Sequence, residues 1–455
     1  MEVIADRGRE LLTFHAEQTP ADLCAALLSG RGEASGLALS RELLRVYKAM
    51  SWEQRIGFFE MLCRDFGPDP DKIREATENY SRSQSLEDFL QLSAMVEPPR
   101  QELFRRLNMA PNATAALVAM RADLLAELNV RPHLKAVDAD LKHLLSSWFN
   151  RGFLRLERID WHSPAQVLEQ LINYESVHAI RGWDDLRRRL AQDRRCFAFF
   201  HPAMPDEPLI FVEVALVQGM TDAVGPLLDP DAPLLEPAQA DTAMFYSINN
   251  TQVGLRGISF GNFLVKQVLT ELHEEFPAIT HFATLSPMPR FAATLQAAVH
   301  GEQPGLDRGA LDALLAEQAE SLCAAAGREP PSEALLAILE GGSEAHRELL
   351  AEPLQRLALA YLTLPQAHGD VVDPVASFHL SNGARLERVN PYADTSARGM
   401  QASFGVMVNY LYDPDEVEAN HERFVTGGEI AMSKSLTKTY KRVTALRSPA
   451  GAANH

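Results

Sequence analysis

Hydrophobic residues recur at helical spacing through the first third of the chain. From about residue 37 to residue 148, apolar positions lie three or four residues apart, and the two-residue alternation of strands is absent. Ser51 and Gln54 have the spacing of a capping box, and Ser85 precedes a second apolar stripe in the same way. The pattern predicts an all-helical domain over residues 1–149, with about six to eight helices.

The periodicity changes near residue 150. Alternating or β-branched apolar runs predict strands, and residues 262–275, with one apolar face, predict a helix between two of them. Residues 291 to about 365 return to a helical pattern, which indicates an insertion. The predicted strands are 153–159, 197–200, 209–217, 244–248, 281–285, 376–380, 385–389 and 406–411. The predicted fold class is therefore α+β, with the helical domain followed by a mixed α/β domain over residues 150–455.

The charge of the chain is strongly negative. Its formal net charge is -18, and a surface of that sign repels nucleic-acid phosphates and anionic lipid. The sequence has no apolar run of about 18 residues that could span a membrane. Its N-terminal segment lacks the apolar core of a signal peptide and is too acidic for a transit peptide. We therefore expect a soluble, cytoplasmic protein without nucleic-acid or membrane partners, and the apolar faces of the extra helical domain are compatible with a homo-oligomer.

The cysteines and histidines form no ligand pattern. The four cysteines are scattered without a CxxC pair, which argues against a zinc site and against a dense disulfide framework. The histidines show neither HxxxH nor HxH spacing. The sequence accordingly predicts reduced cysteines and no metal centre.

A glycine-rich loop over residues 249–262 connects the predicted strand 244–248 to the predicted helix 262–275. A loop in that position exposes backbone N–H groups at a helix N-terminus, where the helix dipole favours a phosphate. Its glycines at 254, 257 and 261 would let a ligand approach the backbone closely. The alternative interpretation is a glycine-rich connection that binds nothing.

The same loop contains a second motif. Residues 257–261 match G-x-S-x-G, the nucleophile elbow of serine hydrolases, with Ser259 as the candidate nucleophile. That elbow requires a strand running directly into the serine. Here the predicted strand ends near Ile248, about ten residues too early, so the hydrolase interpretation is the weaker one.

Two further residues are candidates for chemistry. Ser286 follows the predicted strand 281–285 and precedes Pro287, an arrangement that is most often a simple turn. His379 lies in the predicted strand 376–380, where a lone histidine is more often a hydrogen-bonded core residue than a catalytic one. Neither residue is informative by itself.

Taken together, these features resemble a known fold and one family that carries it. The order of strand, glycine-rich loop, helix, strand and serine resembles the acyl-CoA-binding core of GNAT acyltransferases. Residues 256–261 resemble their R/Q-x-x-G-x-G/A loop, with Ser259 replacing the first glycine. Longer segments are similar to malonyl-CoA decarboxylases: WHSP, FYSINNTQVGLRGISFGNFLVKQV, FATLSPMPRF and FHLSNGARLERVNPYADTSARG.

This resemblance implies a GNAT-like catalytic domain that converts malonyl-CoA to acetyl-CoA and carbon dioxide without a cofactor. Ser286 and His379 become the catalytic pair. His379 would donate to the enolate oxygen or to C2, and Ser286 would hold the malonyl carboxylate or relay the proton. Some members of the family carry an acidic residue where Ser259 stands, which also counts against a serine nucleophile. The implied CoA-binding residues are Arg256, Gly257, Ile258, Ser259, Phe260, Gly261 and Asn262.

Two other functions stay open on the sequence. A GNAT-type acyltransferase would pass the acyl group to an amine, and it would need an acceptor groove and a base for that amine. A non-catalytic CoA-binding sensor would bind the ligand without turnover and would tolerate loss of His379.

Overall fold

A computed structural model describes residues 19–29, 32–258, 263–364 and 373–447. These residues form two compact units. The first contains the described chain up to Arg155, together with Phe199–Ile210 and residues 250–258. The second contains Leu156–Ala198, Phe211–Asn249 and the described chain from residue 263 onward. The domain limits 1–149 and 150–455 stay a prediction.

The first unit is built mainly from helices. Both predicted helix starts are confirmed, because the Ser51 hydroxyl accepts from the Gln54 backbone N–H and the Ser85 hydroxyl accepts from that of Asp88. Buried aromatic and aliphatic side chains, among them Phe59 and Phe104, form its core. Its described helices up to residue 148 are α1 Pro20–Leu28, α2 Glu33–Ala49, α3 Trp52–Asp65, α4 Pro70–Ser83, α5 Leu86–Val96, α6 Pro99–Leu107, α7 Ala113–Glu127 and α8 Lys135–Trp148.

A mixed sheet follows, as the change of periodicity predicts. In the described part of the chain the strands run in the order β1-β2-β3-β4-β5-β8-β6, and β7 also pairs with β8. Strands β4 and β5 are parallel, whereas β8 is antiparallel to β5, β6 and β7. The strands are β1 Arg155–Ile159, β2 Arg194–Phe200, β3 Ile210–Val217, β4 Thr242–Asn250, β5 His281–Thr284, β6 Ser286–Pro287, β7 Arg385–Asn390 and β8 Met407–Tyr412.

Helices alternate with these strands along the chain and form the predicted insertion. The segment from residue 291 to residue 362 is helical, as the sequence predicts, and it separates β6 from β7. No described helix is both long and apolar enough to cross a membrane. The remaining described helices are α9 Ala165–Tyr174, α10 Trp183–Arg189, α11 Gly225–Leu228, α12 Phe263–Glu275, α13 Phe291–Val299, α14 Arg308–Leu315, α15 Ala319–Ala326, α16 Pro331–Gly342, α17 Arg347–Leu362, α18 Pro374–Ser381, α19 Ala397–Ser403, α20 Val417–Gly427 and α21 Lys434–Arg447.

The predicted strand at 376–380 is wrong, because these residues lie in helix α18. The Asp373 carboxylate caps this helix by accepting the backbone N–H groups of Val375 and Ala376, each at 2.9 Å. Pro374 occupies the first helical position, where its missing N–H costs nothing. The Asp-Pro start signal therefore outweighs the short alternation of apolar and polar residues, and His379 projects from a helix. The fold class is nevertheless confirmed: a helical N-terminal region precedes a mixed α/β region with a helical insertion.

Candidate active site

Ser286 and His379 form a direct hydrogen bond in the second unit, although they are 93 residues apart in sequence. The Ser286 Oγ lies 2.9 Å from the Nε2 of His379. Ser286 begins β6, which one residue separates from β5, and His379 lies near the end of α18. Both side chains are buried, with 6% and 3% of their surface exposed. The structure thus brings together the two residues for which the family resemblance implied catalysis.

The other ring nitrogen of His379 is bonded to a tyrosine. The Tyr412 hydroxyl lies 2.8 Å from Nδ1, and the Tyr410 ring stacks on the imidazole with centroids 4.6 Å apart. Because side chains alternate along a strand, Tyr410 and Tyr412 share one side of β8. Sequence reasoning missed Tyr412. The available signal was the two-residue spacing of Tyr410, in the predicted strand 406–411, and Tyr412, one residue beyond it. That spacing does not indicate a histidine on a distant helix.

Burial keeps the His379 ring neutral. Desolvation lowers the pKa of His379 to about 3. A neutral imidazole has one N–H donor and one acceptor nitrogen. Both nitrogens face hydroxyl groups, which can donate or accept, so either tautomer could be accommodated by these two contacts alone. Burial also raises the pKa of Tyr412, which keeps its hydroxyl protonated.

A second hydroxyl contacts Ser286. The Ser286 O–H donates to the Oγ1 of Thr284 at 2.8 Å, and the Tyr410 backbone N–H also donates to that oxygen at 3.3 Å. Thr284 is the last residue of β5 and is 1% exposed. Thr284 was not among the sequence candidates, although its position two residues before Ser286 was the available signal.

Helix α18 is attached to the helical insertion through a buried carboxylate. The Tyr361 hydroxyl on α17 donates to Asp373 Oδ2 at 2.8 Å, while Oδ1 caps α18. Asp373 is fully buried, and burial raises the pKa of its carboxyl group. The insertion therefore helps to fix the helix that carries His379.

The glycine-rich loop belongs to the first unit, and its described part is held by helix α7. Gly254 lies so close to the Val118 carbonyl that a Cβ on it would be 1.8 Å from the oxygen. The buried Arg121 side chain donates to the carbonyls of Gly254, at 2.6 Å, and Arg256, at 3.0 Å. These contacts explain why a glycine is needed at 254 and how the loop is anchored at its base.

The predicted CoA-binding residues are only partly described. Arg256 and Gly257 are exposed, Ile258 is buried, and Gly257 has a φ of +75°, which favours glycine. The Nζ of the exposed Lys142 would lie 3.5 Å from a Cβ on Gly257. A positively charged side chain therefore lies beside the loop. The other predicted residues lie outside the described residues: Ser259, Phe260, Gly261 and Asn262.

Among the described residues, no group of three or more His, Cys, Asp or Glu side chains is arranged to hold a metal ion. The four cysteines are free thiols. The further side chains that hydrogen-bond to Ser286 and His379, those of Thr284 and Tyr412, carry hydroxyl groups.

Two family models cover most of the chain. The malonyl-CoA decarboxylase C-terminal domain matches residues 152–449, and the malonyl-CoA decarboxylase N-terminal domain matches residues 66–149. The chain belongs to the malonyl-CoA decarboxylase family. The proteins of this name are carboxy-lyases.

Individual relatives agree with this family assignment. The mitochondrial malonyl-CoA decarboxylase of Anser anser anser is 35% identical over 417 residues, which cover 87% of this chain and 82% of the relative. The crystal structure of malonyl-CoA decarboxylase from Rhodopseudomonas palustris is 44% identical with a TM-score of 0.83, covering 95% of this chain and 99% of that one. The structure from Agrobacterium vitis is 42% identical with a TM-score of 0.79, covering 94% and 100%.

Proposed function

We propose that this protein decarboxylates malonyl-CoA to acetyl-CoA and carbon dioxide. The observation that carries the proposal is the buried chain of hydrogen bonds from Tyr412 through His379 to Ser286, in a member of the malonyl-CoA decarboxylase family. Such a chain can deliver a proton to a carbanion in a site from which water is largely excluded. The proposed chemistry needs neither a metal nor an organic cofactor.

Loss of carbon dioxide leaves an electron pair on C2, which is delocalised into the thioester oxygen as an enolate. The enzyme then has to stabilise this charge and protonate C2. A neutral His379 suits that task better than an imidazolium, because a cation beside the malonyl carboxylate would stabilise the ground state before the reaction. The lowered pKa of His379 supports this neutral form.

Proton delivery would follow the hydrogen-bonded chain. The C2–H bond forms as the Ser286 O–H bond breaks, and the Ser286 Oγ regains a proton from Nε2 of His379. The imidazolate that results is stabilised by the Tyr412 O–H, which donates to Nδ1 and keeps its proton. After the product leaves, solvent returns a proton to Nε2, which restores the starting state.

The glycine-rich loop is proposed to bind the phosphates of CoA through its backbone N–H groups. Its anchoring by Arg121 and its proximity to Lys142 support this role. Arg256, Gly257 and Ile258 form its described part, and Ser259, Phe260, Gly261 and Asn262 complete the proposed site. Positive charge beside this loop is required, because the net charge of -18 repels a polyanion at long range.

The first experiment is to incubate the purified protein with malonyl-CoA, without added metal or amine, and to identify the products by mass spectrometry. Acetyl-CoA with stoichiometric carbon dioxide is expected. Free CoA and malonate would instead indicate a thioester hydrolase with Ser259 as its nucleophile. Unchanged malonyl-CoA that nevertheless binds would favour an acyltransferase or a sensor, and added amines would separate those two.

Variants test the residue assignments. We expect Ser286→Ala and His379→Ala each to lower kcat by about a hundredfold or more, because each removes a link in the proton chain. Ser259→Ala should cause a smaller loss. A Ser259→Ala enzyme without activity, beside an active Ser286→Ala enzyme, would overturn the assignment.

Location and assembly stay predictions. The chain was expected to be cytoplasmic, whereas the name of the Anser anser anser relative describes that protein as mitochondrial. Cell fractionation would test the location, and light scattering during size-exclusion chromatography would test for a homo-oligomer.

A further inference from the structure

The Ser286 hydroxyl has one proton and two hydrogen-bond partners. Its oxygen lies 2.8 Å from the Oγ1 of Thr284 and 2.9 Å from the Nε2 of His379. The bond to Thr284 has the geometry of a Ser286 donor. Since the only proton on the serine oxygen is directed to Thr284, the contact with His379 must be made by a proton on the imidazole.

Thr284 is held in place as an acceptor. It is the last residue of β5, is fully buried, and its Oγ1 also receives the backbone N–H of Tyr410. Tyr410 stacks its ring on His379, so one residue of β8 holds both the imidazole and the threonine that faces Ser286. The geometry of the two strands therefore directs the Ser286 proton to Thr284 in the ligand-free protein, before substrate offers it another acceptor.

We infer that Thr284 sets the tautomer of His379, placing the ring proton on Nε2, where it faces Ser286, and leaving Nδ1 to accept the Tyr412 hydroxyl. All three hydrogen bonds then run in one direction, from Tyr412 to His379, from His379 to Ser286 and from Ser286 to Thr284. Thr284 acts through Ser286, so it is a positioning residue.

The tautomer decides what the Ser286–His379 pair can do. With the proton on Nε2, the pair holds two transferable protons and is arranged as a donor. With the proton on Nδ1, the serine would donate to Nε2, which is the arrangement of a serine nucleophile beside its base. Thr284 therefore favours protonation of a carbanion over attack on a thioester. This consequence for catalysis rests on the proposed decarboxylase function, whereas the tautomer itself does not.

The direct test is nuclear magnetic resonance of the ligand-free protein labelled with ¹⁵N in its histidine rings. The His379 signals are assigned by their absence from His379→Gln protein. We expect a protonated Nε2 and an unprotonated Nδ1 in the wild type. A wild-type signal with the proton on Nδ1 would overturn the inference, and this measurement needs no Thr284 variant to fold.

Two variants then test the role of Thr284. Thr284→Val keeps the shape of the side chain but removes the acceptor, so the Ser286 proton should turn to Nε2 and the ring proton should move to Nδ1. Thr284→Ser restores the hydroxyl and should restore the wild-type tautomer. Retention of the Nε2 proton in folded Thr284→Val protein would show that Thr284 does not set the tautomer.

Kinetics connect the tautomer to turnover. We expect Thr284→Val to lower kcat about tenfold or more with little change in KM, and Thr284→Ser to recover most of it. Equal kcat values in Thr284→Val and the wild type, despite a changed tautomer, would overturn the link to catalysis. A wild type that shows the Nε2 tautomer but releases no carbon dioxide would contradict the proposed function and leave the structural inference intact.

Discussion

At the scale of single residues, burial shifts the pKa of two ionisable side chains, of which only His379 belongs to the proposed chemistry. His379 loses its charge because the imidazolium is poorly solvated beneath Tyr410 and Tyr412. Burial also shifts the pKa of Glu213 on β3, but in the opposite direction. Burial, opposed by Arg189 and reinforced by Glu175, raises its pKa to about 7. Each shift leads to a separate measurement.

The His379 ring should stay neutral throughout the physiological range. Its pKa of about 3 means that its ring signals should not titrate between about pH 5 and about pH 8, whereas an ordinary histidine titrates near 6.5. The measurement is a pH series on the ring-labelled protein. A His379 signal that titrates near 6.5 would contradict the neutral donor.

Glu213 should make the folded state less stable as the pH rises. An acid whose folded pKa lies above its unfolded value contributes stability at low pH, and this contribution is lost as the pH rises through the folded pKa, here about 7. Glu213→Gln removes that dependence. Relative to the wild type, the Tm of this variant should therefore increase from about pH 5 to about pH 8.

The matched control for Glu213→Gln is Glu271→Gln, which changes an exposed carboxylate on α12. The change of the Glu213→Gln difference with pH should exceed any change of the Glu271→Gln difference. If the Glu213→Gln difference were constant, or decreased with pH, Glu213 would not be protonated in the folded protein near neutral pH.

At the scale of elements, the sequence predicted those features that depend on local signals. The helix starts at Ser51 and Ser85 follow from side chains three residues apart. The predicted strand 376–380 is wrong because apolar and polar residues alternate there over only five positions, whereas the Asp373-Pro374 pair before them is a helix-start signal. Local signals could not predict the contacts of His379, because they join α18 to β6 and β8 across 93 and 33 residues. Only the family resemblance paired His379 with Ser286.

The attachment of α18 can be tested by removing one oxygen atom. Tyr361→Phe deletes the hydroxyl that donates to Asp373, so the cap of α18 loses a buried partner. The resulting displacement of His379 should lower kcat about tenfold, since catalytic geometry tolerates little misplacement. The assay is steady-state kinetics with a parallel measurement of Tm.

The control for this prediction is Tyr47→Phe. Tyr47 makes the same kind of bond, to Asp123 at 2.9 Å, within the helical core of the first unit. Both variants should lose comparable stability, of about 1–3 kcal/mol, but only Tyr361→Phe should lose kcat. Equal kcat losses would mean that general destabilisation accounts for the effect.

At the scale of the whole molecule, the net charge of -18 opposes the binding of any polyanion. Local cations beside the glycine-rich loop would have to overcome that field. Composition alone could not predict where such cations lie. Lys142, on α8, approaches Gly257 from a helix more than a hundred residues away in sequence. The net charge of the molecule therefore does not determine the local charge beside the loop.

Lys142→Gln separates these two quantities. If Lys142 attracts CoA phosphates, the variant should raise the KM for malonyl-CoA about two- to fivefold at low salt, the range of an exposed ion pair. Added salt screens the local attraction, so the KM values of the variant and the wild type should converge as ionic strength rises.

The control for this prediction is Lys48→Gln, which removes the same charge from α2 and should leave KM near the wild-type value. An increase in KM shared by both variants would assign the effect to net charge, and a gap for Lys142→Gln that persists in high salt would indicate a change in the shape of the loop.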